Sequence, residues 1–148
     1  MTIKDKIVLV TGANRGIGQR LVEEALRRGA ARVYAAARQP VAHPDQRVIP
    51  LALDVTDPEQ IHEAAASIDS LDLLINNAGI QPFDDLSDPA ALEQTLTVNL
   101  FGTYRVSQAF LPSLTRSRGT IVTNLSLAAS PPYRSRRPTR SRRRPRSL

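Results

Sequence analysis

Three glycines, Gly12, Gly16 and Gly18, follow an apolar run in the stretch Thr11-Gly12-Ala13-Asn14-Arg15-Gly16-Ile17-Gly18. Glycine permits a tight turn and lets backbone N–H groups come close to a bulky anion. Where such a turn opens a helix, free N–H groups and the helix dipole add positive potential. The chemistry on offer is a cradle for a pyrophosphate. The spacing is G-x-x-x-G-x-G, not the G-x-G-x-x-G of the more familiar dinucleotide loop. A glycine turn without a ligand is the plainer alternative, and the strand-to-helix setting argues against it. Other reactive groups are few. The chain has no Cys, which removes thiolate metal sites and a thiol nucleophile. His43 lies beside a proline in a loop and His62 on a helix, without metal-ligand spacing, so both are expected to face solvent and no metal site is expected.

For the cradle to work, a strand must deliver it and a helix must start from it. Ile7-Val8-Leu9-Val10 reads as a strand covered on both faces, and Ile17, Leu21, Ala25 and Leu26 recur at helical spacing after the loop. Val33 to Ala37 and Val48 to Leu53 read as the second and third strands. Pro50 cannot donate to a ladder, which places the third strand at a sheet edge. That matches a doubly wound order of 3-2-1-4-5. Asp57-Pro58-Glu59 opens a helix, with proline in its first turn. Leu71 to Ile75 reads as a fourth strand, Ser87-Asp88-Pro89 begins a long helical stretch ending near Leu114, and Gly119 to Leu125 reads as a fifth strand. Short apolar runs alternating with helical patterns predict an α/β fold: a doubly wound, Rossmann-type parallel sheet that stops after the fifth strand.

With these motifs in order, the chain resembles the short-chain dehydrogenase/reductase family over residues 1 to about 129. The glycine stretch corresponds to the family's cofactor signature and implies contacts from Gly12, Asn14, Arg15, Gly16, Ile17 and Gly18. Leu53-Asp54-Val55 is similar to the segment whose aspartate faces the adenine, which implies roles for Asp54 and Val55. Asn76-Asn77-Ala78-Gly79 is similar to the family's N-N-A-G motif, which implies that Asn77, Ala78 and Gly79 support the sheet and the adenosine side. The resemblance places Asn99 as the active-site asparagine that holds a proton-relay water, and Ser126, after Ile121 to Leu125, as the catalytic serine. The implied activity is hydride transfer between a nicotinamide cofactor and a small-molecule carbonyl or alcohol. The cofactor would carry the hydride chemistry.

Cofactor choice turns on the end of the second strand. A carboxylate there would bond a ribose 2′-hydroxyl and repel a 2′-phosphate. This chain has Ala37 followed by Arg38, with Arg15 in the glycine loop. Two guanidinium forks suit a phosphate, so NADP(H) is expected over NAD(H). The alternative is that both arginines point into solvent.

The resemblance also implies a Tyr and Lys in a Y-x-x-x-K pattern about 13 residues after the serine, the lysine lowering the tyrosine pKa. Those positions hold Thr139 and Arg143; Tyr133 with Arg137 copies the spacing at the wrong offset. The chain is therefore expected to be inactive, lacking the acid/base and the family's later strands and substrate pocket. An uncovered edge on the fifth strand is expected to reduce solubility.

Charge sets a boundary near Ala129. Residues 1–129 hold all 14 acids and 12 of the 20 bases, whereas residues 130–148 hold eight Arg, four Pro, four Ser and no acid. Residues 1–129 are thus expected to form the nucleotide-binding domain and residues 130–148 a disordered basic tail. A shifted reading frame after Ser126 accounts for that vocabulary. Pro138-Thr139 encoded as CCT-ACN would contain TAC, a tyrosine codon, where the family pattern needs one.

An interaction protein whose Arg-rich tail contacts nucleic acid is the alternative function. The slightly acidic body and the absence of a nucleic-acid fold motif weigh against it. No apolar run nears 18 residues and the polar start lacks a secretory pattern, so a cytoplasmic protein without membrane contact is expected. The helix from Leu96 to Leu114 resembles the one that packs dimers in the family, which implies a homo-oligomer.

Overall fold

The computed structural model describes residues 2–82 and 88–125. Five parallel strands, β1 (Ile7–Thr11), β2 (Arg32–Ala37), β3 (Val48–Ala52), β4 (Leu73–Asn76) and β5 (Thr120–Thr123), lie in the order β3-β2-β1-β4-β5. Alternation along the central strand divides the core in two. Val8 and Val10 face one side, with Val22, Ala25 and Leu26 of helix α1 (Gly16–Arg27). Leu9 faces the other, with Ile61 of α2 (Pro58–Ala66) and Val106 and Phe110 of α4 (Thr103–Ser117). Helices on both faces explain why β1 and β4 are almost wholly apolar. Pro50 does lie on an edge strand, opposite Ala35 of β2.

Helix α2 starts where its sequence says it should. Asp57 accepts from the amides of Glu59 (2.9 Å) and Gln60 (3.2 Å), and Pro58 occupies the first turn, where no N–H is needed. Gln60 Nε2 returns a hydrogen bond to Asp57 Oδ2 at 2.8 Å. Replacing Asp57 with Ala should destabilise the fold by about 1 kcal/mol, read as a shift in urea midpoint at constant m-value.

Four readings need correction. The fifth strand is confined to Thr120–Thr123, so Gly119, Asn124 and Leu125 lie outside its ladder. The fourth strand begins at Leu73: Leu71 is buried but precedes the ladder, and an apolar run cannot by itself distinguish a strand from its buried approach. The long helical stretch is not uniform. It consists of α3 (Pro89–Leu96), a π-helical turn (Thr97–Gly102) and α4, and it reaches Ser117. His43 is not simply solvent-facing. Its Nε2 lies 3.0 Å from Glu23 Oε1 and its Nδ1 accepts from the amide of Asp45 at 3.0 Å, tying the β2–β3 loop to α1. His62 is exposed, as expected.

Asp72 connects β4 to β1. Its carboxylate accepts from the amide of Ile7 and from Lys6 Nζ, both at 2.9 Å. Partial burial pushes its pKa up, but the Ile7 amide and the Lys6 ammonium outweigh that and hold it below the ordinary aspartate value of 3.8. A lowered folded-state pKa means stability that is present above the unfolded value and lost as pH falls through the folded one. Asp72→Asn should cost about 1 kcal/mol at neutral pH, and the acid limb below about pH 4 should flatten; urea midpoints across pH 2.5–7 check both.

Candidate active site

The glycine loop leaves β1 at the point where the strand order reverses direction, with β2 on one side and β4 on the other. In open parallel sheets this is where a crevice forms at the carboxyl ends of the strands. The loop is tightly anchored. Ala13 donates its amide to the Ala36 carbonyl at 3.0 Å, and Thr11 Oγ1 accepts from the amides of Asn77 (2.9 Å) and Ala78 (3.0 Å). Asn77 Nδ2 donates to the carbonyls of Thr11 (3.0 Å) and Gly12 (3.3 Å). Asn124 Nδ2 in turn reaches Asn77 Oδ1 at 3.0 Å. The N-N-A-G segment therefore grips the glycine loop through its second asparagine.

The glycines do different jobs. Gly12 (φ +65) and Gly16 (φ +56) adopt left-handed backbone, which disfavours a side chain. A Cβ on Gly12 would also lie 2.9 Å from the Ala78 Cα. Gly18 is a contact glycine: a Cβ there would overlap the Gly12 carbonyl. Beside Gly16, by contrast, nothing lies within 4 Å of where a Cβ would be. Helix α1 begins at this open position with no side-chain cap and no acid in its first turn, whereas Asp57 and Asp88 cap α2 and α3. Its first amides are thus left without a side-chain acceptor, as a bound anion requires.

A cavity of about 1260 Å³ opens here. Gly12, Asn14, Arg15, Gly16, Ile17, Gly18, Arg38, Asp54, Val55, Asn77, Ala78 and Gly79, every one of the expected cofactor contacts, line it together. Asp54 is held rigidly: its Oδ1 accepts from Thr56 N (2.9 Å) and Thr56 Oγ1 (2.8 Å), and its amide donates to Gln60 Oε1 at 2.9 Å. Arg15 and Arg38 are both exposed on the cavity rim, and no ion pair engages either among the described residues. No group of His, Asp and Glu suited to a metal ion occurs among the described residues.

The catalytic candidates are placed unequally. Asn99 sits on the π-helical turn beside the N-N-A-G segment: its Oδ1 accepts from the Ile80 amide and its Nδ2 donates to the Ile80 carbonyl, each at 2.8 Å. Ser126 lies outside the described residues, as do Tyr133, Thr139, Arg143 and the Arg-rich segment 130–148. Asn124, just past the end of β5, lines the cavity. Sequence reasoning missed Asn124, and Glu93, Gln94 and Thr97 on the α3 side of the cavity. Nothing local in the sequence marks these positions, because what places them at the cavity is the packing of α3 against the rest of the fold.

A parallel sheet in this order, with a glycine turn at its switch point, defines a doubly wound nucleotide-binding type of fold. Comparisons with known proteins narrow the class. The family model for short chain dehydrogenases matches residues 6–137. Among curated relatives, short chain dehydrogenase pigC of Monascus ruber is 34% identical over 136 residues, covering 78% of this chain and 45% of the relative. The crystal structure of a short chain dehydrogenase from Burkholderia cenocepacia in complex with NADP superposes with a TM-score of 0.76 at 40% identity, over 83% of this chain and 53% of that one. A short chain dehydrogenase from Leptospira borgpetersenii with bound NAD+ superposes with a TM-score of 0.74 at 30% identity, over 81% of this chain and 51% of that one. The chain belongs to the short-chain dehydrogenase family and spans about half the length of the relatives it matches. No helix among the described residues is long and apolar enough to cross a membrane.

Proposed function

We propose that this chain forms the coenzyme-binding half of a short-chain oxidoreductase and takes NADP(H) in preference to NAD(H). The single observation that carries the reading is the open position beside Gly16 at the start of α1, a helix whose first amides have no side-chain cap. The diphosphate would lie there, with the adenosine toward Asp54 and Val55 and the 2′-phosphate between Arg15 and Arg38. Bound at this site, the coenzyme would supply hydride transfer to or from a carbonyl or alcohol. Ser126 would position the substrate oxygen. Asn99 already satisfies Ile80 with both ends of its amide, so its side chain would hold the segment after Gly79 in place.

Thr139 and Arg143 cannot replace a tyrosine and lysine in proton transfer, so this chain would bind coenzyme without measurable turnover. Leu96 at the end of α3, Leu100 on the π-helical turn, and Tyr104 and Leu111 on α4 are all exposed and support self-association along this stretch. Calorimetric titration with NADPH and with NADH tests the coenzyme reading. Tighter NADPH binding at one site supports it; equal or tighter NADH binding overturns the preference, and no heat with either overturns the function.

A further inference from the structure

The π-helical turn Thr97–Gly102 touches two walls of the cavity at once. Asn99 holds Ile80, which follows the N-N-A-G segment and lines the cavity. Three residues on, Gly102 is buried against the opposite loop: a Cβ there would lie 2.8 Å from Val55 Cγ2, 3.1 Å from Val55 Cβ and 3.1 Å from the Val55 carbonyl oxygen. Val55 is itself 8% exposed and lines the cavity.

The Val55 loop has little room to yield. Leu53 donates its amide to the Ala37 carbonyl at 3.0 Å, Asp54 is tied to Gln60 and Thr56, and Asp57 donates its amide back to Asp54 O at 3.1 Å. Val55 is also stiff at χ1, so it cannot swing aside freely. An i→i+5 turn carries one extra residue within the helix and is often found beside functional sites. Here it faces one residue of the turn toward Ile80 and another toward Val55.

We infer that this turn is the spacer that fixes the separation of the two loops flanking the nucleotide, and that Gly102 is a positioning residue for coenzyme binding. The inference rests on the coenzyme reading above. Gly102 touches no coenzyme atom in this account; it acts through Val55. A methyl group at residue 102 would push Val55 and the Asp54 backbone into the space where adenosine lies. Alanine is also the better helix former, so a loss of binding could not be assigned to poorer helix propensity.

The test is a double-mutant cycle on the full chain, with adenosine 2′,5′-bisphosphate and NADP+ as probes, titrated well below the melting temperature. Gly102→Ala should weaken both about tenfold, in line with the strain of adding one methyl group to a filled contact. Val55→Ala removes Cγ2, the nearest atom at 2.8 Å, and keeps the Cβ and carbonyl oxygen at 3.1 Å, so it should relieve most of the strain: Val55→Ala/Gly102→Ala should bind within about threefold of Val55→Ala alone. Wild-type binding left unchanged by Gly102→Ala, or a double variant about tenfold weaker than Val55→Ala, overturns the inference while the coenzyme reading stands. If Gly102→Ala fails to fold, the comparison of the double variant with Val55→Ala decides alone. Wild-type protein that binds neither probe sinks both claims.

Discussion

Gly18→Ala is expected to unfold part of the population and to remove coenzyme binding altogether. Its Cβ would overlap the Gly12 carbonyl and crowd Asn77 Nδ2, which holds that same turn. Both obstacles are structural: one is backbone, and the other is an amide already committed to Thr11 and Gly12. Overpacking against such neighbours costs about 3 kcal/mol, on the order of 10 °C in Tm for a chain of this size. Gly16→Ala should behave differently. Left-handed backbone costs alanine about 1 kcal/mol, and no protein atom obstructs the methyl group. Stability should therefore fall only by a few degrees, while the methyl group occupies the space assigned to the diphosphate and affinity drops at least about tenfold. Differential scanning calorimetry paired with NADPH titration separates the two. A Gly16→Ala protein that binds like wild type would contradict the placement of the diphosphate.

Arg38→Ala should weaken NADP+ by roughly 30-fold and leave NAD+ within about threefold, because a charge-assisted hydrogen bond is worth about 1.5–3 kcal/mol and only NADP+ carries the 2′-phosphate. Arg15→Ala should act in the same direction, and Arg38→Asp should reverse the preference by placing a carboxylate where a free 2′-hydroxyl can bond it. Both arginines are exposed and uninvolved in ion pairs among the described residues, so their loss should leave Tm nearly unchanged. Equal weakening of both coenzymes would show that the guanidinium groups act on the shared diphosphate. No change in either would leave them as solvent-facing charges.

How much of this could be read from the residues alone follows from the range of the interactions. Pro50 announced an edge strand because a missing N–H is a local property, and it lies on one, beside β2. Asp57-Pro58 announced the start of α2 for the same reason: a cap acts within three residues. The glycine loop was readable because its spacing encodes its own turn, and the residues expected around it converge on one cavity.

What escaped depends on distant partners. The π-helical turn lies in a segment, Thr97 to Gly102, whose weak helix formers say nothing of which irregularity they adopt; it is revealed by contacts to Ile80 and Val55, 19 and 47 residues from Asn99 and Gly102. His43 looked like a surface residue because Glu23, its partner, lies across the β2–β3 loop on α1. Asn124 gave no local sign, since its role is to reach Asn77, 47 residues away. Gly102 carries no local sign either, since its neighbour Val55 lies 47 residues earlier.

The central claim is that amides at the Gly12–Gly18 turn hold a diphosphate. Backbone amide NMR on isotopically labelled protein during titration with NADP+ tests it most directly. The amides from Asn14 to Gly18 should shift most and saturate together, with Arg38 and Asp54 following at the same ligand concentration. Saturable binding whose shifts fall elsewhere, with that turn unmoved, would contradict it.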